Sequence, residues 1–485
     1  MSLGKQTLGG FTWTFISNIA TKFLGLFIGI VLARLLTPKD FGLVAMLYVF
    51  FEVSNSFVNS GFSQALIRED VLSEKDKATA FNINILVSIS FYALLWFCAP
   101  AIADFYENEK LVLLARVMGI TIIINAFTIV QRADITHKLL FKKLSVILVT
   151  ANVIAGIVGI AMAYMGYGVW SLASKYIVMA FMTSFLFYVM NPWYPKFFII
   201  RESFKRLFGF GSKLFLSGLI NTIYDNIYKL IIGKYFSAVT LGLYTQAKLY
   251  VTQVTLSAVS TIQTVTYPIL SKAKNEPQRL KNAYRKIIIA TSFVIFPITI
   301  AMGLLAKPLI LVAIGEQWVD AIPFLQILCV SGVLYHLHAI NLNILKVLGR
   351  SDLFLKLEII KKINITIAIL IGINFGIWGL LIASVISSYI ALLINMYYTN
   401  KHIDYSYANQ FSDLLPIFLQ TIPMVLAIYA ITLILGNNHI LILILSTVLG
   451  IIVYLGTAIL FKSKSLKSII DVLGTKFPQL QKINL

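Results

Sequence analysis

A set of charged side chains lies inside stretches of chain otherwise apolar enough to cross a bilayer: Lys22, Glu52, Arg116, Lys175, Asp225, Lys229 and Lys248. A charge at mid-bilayer costs about 2.5–3.5 kcal/mol on insertion scales, so such residues normally face a bundle interior or a watery cavity. The basic members Lys22, Arg116, Lys175, Lys229 and Lys248 outnumber the acids Glu52 and Asp225. Buried cations of that kind bind an anion. The two acids are the candidates for taking up a coupling H+ or Na+, and nothing in the sequence shows which ion, if any, is used.

Spacing orders these residues. Thr14, Asn18, Lys22, Gly25 and Gly29 form one small, polar stripe along the first apolar stretch, 13–33. Gly218, Thr222, Asp225 and Lys229 form a similar stripe along the seventh, 213–235. The second stretch, 41–63, offers Glu52, Ser56, Asn59 and Ser63 on one face. The eighth, 241–268, offers Lys248, Thr252 and Thr255. Asn18, Asn59, Thr222 and Thr252 are therefore the candidate neutral lining of a cavity. Bland roles compete at each position. Arg116 and Lys175 lie near helix ends, where a long stem can carry the charge to the interface. Asp225 and Lys229 are spaced for an i,i+4 ion pair, and Lys22 with Glu52 would make a buried pair joining two helices.

The elements that must position these groups are membrane helices. Of 485 residues, 59% are hydrophobic and only 12% charged, against about 25% charge in a soluble domain. About fourteen stretches approach the ~20 residues a helix needs to span a bilayer. The first is full length and has no small-residue cleavage site behind it, so it reads as an anchor, not a cleaved signal. The net charge of +20 does not point to nucleic acid, because the basic residues sit in alternate loops, as the positive-inside rule requires. Clusters around Arg132, Lys138, Lys142 and Lys143, then Arg201 to Lys213, Lys272 to Lys286, and Lys462 to Lys482 all fall on one side. Only Arg34, Lys39, Lys110, Lys234 and Lys307 fall outside the membrane on the other. Both termini are then cytoplasmic.

The chain also repeats itself. With a shift of 200, Phe15 falls on Phe215, Ser17 on Ser217, Gly42 on Gly242 and Leu43 on Leu243. The expected organisation is an all-α integral membrane protein: a six-helix lobe over 1–190, a cytoplasmic amphipathic linker helix over 191–212, a second six-helix lobe over 213–400, and two additional helices with a basic tail over 401–485. Six spans per repeat put the pseudo-twofold axis along the membrane normal, with the site between the halves. Cys98 and Cys329 both lie in apolar stretches and read as inert buried thiols. His336 and His338 are two apart and point to different sides, which favours two separately satisfied histidines over a metal site. No nucleotide-binding glycine loop, metal-ligand cluster or nucleophile triad is evident.

Gly9-Gly10-Phe11-Thr12-Trp13, the run from Arg34 to Leu43, the run from Leu241 to Ala247 and Pro268-Ile269-Leu270-Ser271 resemble polysaccharide flippases of the Wzx-like type. These share a superfamily with the MATE-type multidrug exporters and the lipid II flippases. The resemblance implies two six-helix lobes, alternating access and an undecaprenyl-pyrophosphate-linked oligosaccharide as cargo. It also implies a bacterial cytoplasmic membrane location and work alongside a glycan polymerase and glycosyltransferases. Lys22, Lys229 and Lys248 match the family's cavity cations by helix and depth. Two other classes compete. A MATE-like efflux pump for small cations would rely on buried acids, here outnumbered by bases. A membrane glycosyltransferase or polymerase would need acids in a sizeable outer loop, where only Asp104, Glu107 and Glu109 stand.

Overall fold

The computed structural model describes residues 3–59, 62–69, 72–463 and 465–466. Every regular element among them is a helix. With no water in hydrocarbon to satisfy peptide groups, internally bonded helices are the natural outcome for so apolar a chain. Contacts group the chain into two compact units, 1–245 and 246–485. This division falls inside a helix, not in the linker expected at 191–212.

The first unit contains α1 (Leu3–Leu35), α2 (Pro38–Asn59), α3 (Phe62–Arg68), α4 (Glu74–Tyr106), α5 (Lys110–Ala126), α6 (Ile129–His137), α7 (Phe141–Tyr164), α8 (Val169–Met190), α9 (Arg201–Tyr235) and the start of α10 (Ala238–Lys272). The second unit holds the rest of α10 and α11 (Pro277–Leu304), α12 (Ala306–Ala313), α13 (Ala321–Gly332), α14 (Tyr335–Val347), α15 (Ser351–Gly372), α16 (Gly376–Ile403), α17 (Tyr407–Leu435) and α18 (His439–Leu460). Among the described residues nine helical runs are long and apolar enough to cross a membrane, ten if the bent pair α5–α6 counts as one span. One of the nine, Asp352–Ile403, has 52 residues. At 1.5 Å per residue it would be more than twice as long as a ~30 Å hydrocarbon core is thick. It folds back at Gly376, whose φ of +70° suits a residue without a side chain, so α15 and α16 form a hairpin.

The same neighbours recur in each unit. In the first, α5 packs on α4 and α8, and α7 on α8; in the second, α13 packs on α11 and α16, and α15 on α16. A helical run is interrupted in both. Two residues separate α5 from α6, and two separate α13 from α14. At each break a hydroxyl bonds back along the preceding helix: Thr128, within the first break, to the Asn125 carbonyl at 2.8 Å, and Ser331, just before the second, to the Leu328 carbonyl at 3.0 Å. Such bonds compete with the helical ladder and loosen it. Aligning the two breaks puts Arg132 of α6 opposite His338 of α14.

Within the first unit, Gly42 and Gly242 face one another at the starts of α2 and α10. A Cβ on Gly42 would overlap the carbonyl of Ala238, and a Cβ on Gly242 that of Pro38. The contact is reciprocal and joins positions 200 residues apart.

The amphipathic helix expected at 191–212 is not one element. Residues 192–200 have no regular structure, and Arg201 begins α9, which runs unbroken to Tyr235. Pro192 and Pro195 explain the difference, since each lacks an N–H and biases its predecessor away from helix. Side chains of α4 then hold this arm. Asn82 donates to the carbonyls of Lys196 at 2.7 Å and Phe198 at 3.1 Å, and Thr79 accepts from the Ile200 amide at 3.0 Å. The arm still carries a mixed surface, with Tyr194 82% and Phe197 86% exposed beside Lys196 and Arg201.

In the second unit α17 and α18 are tied to α11. Tyr454 donates to the Phe293 carbonyl at 2.9 Å. Asp413 of α17 accepts a bidentate pair of bonds from Arg285 and a third, at 2.5 Å, from Tyr405. Burial, with the Asp413 carboxylate beside it, pushes the Tyr405 phenol up, so it stays a donor. Cys329 is buried, whereas Cys98 is exposed on α4, on a face that a bilayer would cover.

Candidate functional site

The first unit contains an open cavity of about 1020 Å³. Helical periodicity explains which side chains reach it. From α2 come Tyr48, Phe51, Glu52, Asn55 and Ser56, spaced i, i+3, i+4, i+7 and i+8. The interrupted run of α5 and α6 gives Thr121, Asn125, Thr128, Arg132 and Thr136 along a single stripe through the break. From α8 come Tyr176, Met179, Ala180 and Thr183, and from α9 Phe215, Gly218, Asn221 and Thr222. Ser63 and Gln64 of α3 complete the polar lining.

The lining is mostly neutral and hydrogen-bonding. Carboxamides (Asn55, Gln64, Asn125, Asn221), hydroxyls and aromatic rings dominate it. Among the described lining residues, only Glu52 and Arg132 carry formal charge. Neither makes an ion pair among the described residues, so the two charges are not consumed by a contact with each other. Arg132 is exposed within its helix, and its backbone carbonyl accepts from Thr136 at 2.8 Å. A guanidinium presented in this way has planar, forked donors suited to carboxylate or phosphate. Glu52 is held by a hydrogen bond from Tyr48 and faces Tyr176. Ser56 and Thr222 lie 3.1 Å apart and couple α2 to α9 across the cavity wall. The groups assemble no metal site, and no cluster of three potential metal ligands exists among the described residues.

Of the residues expected to form a site, Glu52 and Thr222 line this cavity. Lys229 stands behind its wall: its ammonium lies 4.7 Å from the Tyr48 ring and donates to Asn226 at 2.9 Å. Its charge therefore reaches the lining through Tyr48. Lys22 is half-buried on α1, and Asp225 is exposed on α9; neither is among the lining residues. Lys175 is half-buried on α8 next to Tyr176, with its stem against Gly159 of α7. Arg116 lies over the Trp96 ring at 4.7 Å and donates to the Trp96 carbonyl at 3.4 Å. Lys248 and Thr252 belong to the second unit, where the Thr252 hydroxyl donates to the Lys248 carbonyl at 2.8 Å. The side chains of Asn18 and Asn59 lie outside the described residues.

Sequence reasoning missed Arg132 by assigning it to a cytoplasmic loop. The signal was present: Thr121, Asn125, Thr128, Arg132 and Thr136 recur every three or four residues, as an amphipathic helix requires.

The family model described as polysaccharide biosynthesis protein matches residues 31–323, more than half of the chain. The chain belongs to this family. It is 27% identical over 355 residues to the teichuronic acid biosynthesis protein TuaB of Bacillus subtilis, covering 73% of each chain. It is 21% identical over 480 residues to the succinoglycan biosynthesis transport protein ExoT of Rhizobium meliloti, covering 96% of this chain and 95% of that one. Its fold is that of the lipid II flippase MurJ in an inward closed conformation, with a TM-score of 0.75 at 16% identity over 93% of this chain and 98% of MurJ. With nine or ten apolar helical runs among its described residues, the chain is a multi-pass membrane protein.

Proposed function

We propose that the protein moves an undecaprenyl-pyrophosphate-linked oligosaccharide from the cytoplasmic to the outer leaflet of the bacterial cytoplasmic membrane. It does so by alternating access of two six-helix lobes related by a pseudo-twofold along the membrane normal. On this reading the chain has fourteen spans, two of them outside the repeat, and both termini are cytoplasmic. The observation that carries the proposal is the first-unit cavity. Carboxamides and hydroxyls bond sugar hydroxyls in both donor and acceptor roles, and aromatic rings cover apolar ring faces. A volume of about 1020 Å³ is at the top of the range for small-molecule sites and leaves room for several sugars. The relatives named for teichuronic acid and succinoglycan biosynthesis support a glycan cargo.

Arg132 contacts an anionic group of the cargo, and Lys229, acting through Tyr48, biases the same wall positively. Lys22, Lys248, Arg116 and Lys175 remain candidates for guiding the pyrophosphate, and Glu52 and Asp225 for a coupling ion. The membrane potential, inside negative, assists outward movement of an anion by about 2.3 kcal/mol per charge per 100 mV. The test is made in a deletion strain that accumulates carrier-linked oligosaccharide on the cytoplasmic side. Wild-type protein should clear that pool and restore surface glycan, while Arg132→Ala and Lys22→Ala should not, though both reach the membrane folded. A deletion strain with normal carrier-linked pools and surface glycan, but new sensitivity to cationic drugs, would replace this reading with an efflux pump.

A further inference from the structure

The second unit holds two histidines on one turn of α14, and their surroundings differ in a way that assigns different roles. His336 is fully buried. Its Nε2 meets the Ser292 hydroxyl of α11 at 2.8 Å, its ring lies against Phe296, and its Nδ1 has no partner. Its complete burial disfavours the charged ring.

His338 is half-buried and gripped at both nitrogens by α16. Its Nε2 is 3.3 Å from the Ser388 hydroxyl and its Nδ1 is 3.0 Å from the Asn395 carboxamide nitrogen. Both partners are amphoteric. A hydroxyl donates or accepts, and a carboxamide does either by turning over. As placed, Asn395 offers its nitrogen to the ring, while its oxygen is buried and unpartnered in a side chain 2% exposed. A protonated Nδ1–H would be met by that oxygen after the amide turns, which would pair a buried acceptor that is otherwise stranded. The ring can therefore gain or lose a proton without leaving either nitrogen unsatisfied. The position also has a counterpart: one turn past the two-residue break, the first unit has Arg132 where the second has His338.

We infer that His338, held between Ser388 and Asn395, is a proton-binding site of the second unit, and that its occupancy is linked to the packing of α14 against α15 and α16. The groups facing it define the linkage. From α15 comes Lys361, ion-paired to Glu358 at 2.5 Å. From α16 come Ser388 and Asn395, with Thr399 bonding Asn341 of α14 at 2.5 Å. From α11, Ser292 bonds the neighbouring His336 and Tyr284 bonds the same Asn341 at 2.8 Å. From α14 itself comes His336. A proton on His338 places a cation opposite Lys361 and so disfavours this arrangement of α14 and α15. The neutral ring favours it.

The chain has only five histidines, so each can be followed separately by pH-dependent hydrogen–deuterium exchange at the imidazole carbon, read by mass spectrometry on full-length protein in nanodiscs. His338 should show a titration between about pH 4 and 8, whereas His336 should show none. Asn395→Asp, which fixes an acceptor on Nδ1, should raise the proton affinity of His338 at least tenfold. In cells, surface-glycan export should change with external pH, and His338→Gln, which keeps one hydrogen bond, should remove that dependence. The inference fails if His338 is as silent as His336 across that range, or if Asn395→Asp leaves its titration in place. Neither result bears on whether the protein exports a glycan, since accumulation of carrier-linked precursor in the deletion strain is measured separately.

Discussion

Each unit has a helical run interrupted by a two-residue turn, at α5–α6 in the first and α13–α14 in the second, and the two breaks have opposite surroundings. In the first unit the stripe from Thr121 to Thr136 opens into a cavity, and its charged residue Arg132 has no ion-pair partner among the described residues. In the second, the corresponding face is closed by a polar seam in which His338 bonds Ser388 and Asn395, and Asn341 accepts from both Tyr284 and Thr399. Around that seam lies a continuous apolar core including Ile340, Ile344, Leu392 and Met396. Two interrupted helical runs thus carry two different surfaces. Where hydroxyls and amides face open space, they remain available to a ligand. Where they face each other, they hold helices together.

The largest effect should come from placing the first unit's charge in the second unit's seam. His338→Arg buries a cation next to Lys361, and an uncompensated buried charge costs about 3–5 kcal/mol. Size-exclusion chromatography in mild detergent should show loss of the monodisperse species, while Arg132→His at the cavity should run as wild type. Next is Asn341→Leu, which takes the acceptor from the Tyr284 hydroxyl, while Thr399 keeps its bond to the Asn395 carbonyl at 3.1 Å. A buried orphan costs about 1–3 kcal/mol, so thermal unfolding should fall clearly. The matching cavity change, Asn125→Leu, should stay within about 0.5 kcal/mol of wild type yet lower export. Arg132→Ala removes a charge-assisted contact worth about 1.5–3 kcal/mol, or roughly 10- to 100-fold in cargo affinity, with unfolding unchanged. Export measured against precursor concentration separates that affinity loss from instability. The smallest effect is Ser56→Ala, which removes the bridge to Thr222 and costs about 0.5–1.5 kcal/mol, readable as a modest shift in melting.

Much of this was legible in the sequence because membrane helices announce themselves by length and apolar content. The polar stripe of α2 was read from Glu52 and Ser56, two of the residues that line the cavity. Periodicity failed where tertiary contacts decide. The 191–212 segment has the composition of an amphipathic helix, but Pro192 and Pro195 and the hooks of Asn82 and Thr79 make its first half an irregular arm. Arg132 was hidden by the convention that charges mark loops, since α6 resumes a helix after Thr128 and carries its charge back along the cavity stripe. Nor does the sequence distinguish His336 from His338: their partners come from α11 and α16, dozens of residues away.

The central claim is that the first-unit cavity holds cargo. A single cysteine in place of Asn125, in a chain whose Cys98 and Cys329 are replaced, would face that cavity. Its rate of reaction with a small charged thiol reagent is measured in inside-out vesicles, first from cells blocked in glycan synthesis and then from cells filled with carrier-linked oligosaccharide. The account predicts fast labelling in the first and at least about tenfold slower labelling in the second. Equal rates in both, or no labelling in either, would contradict it.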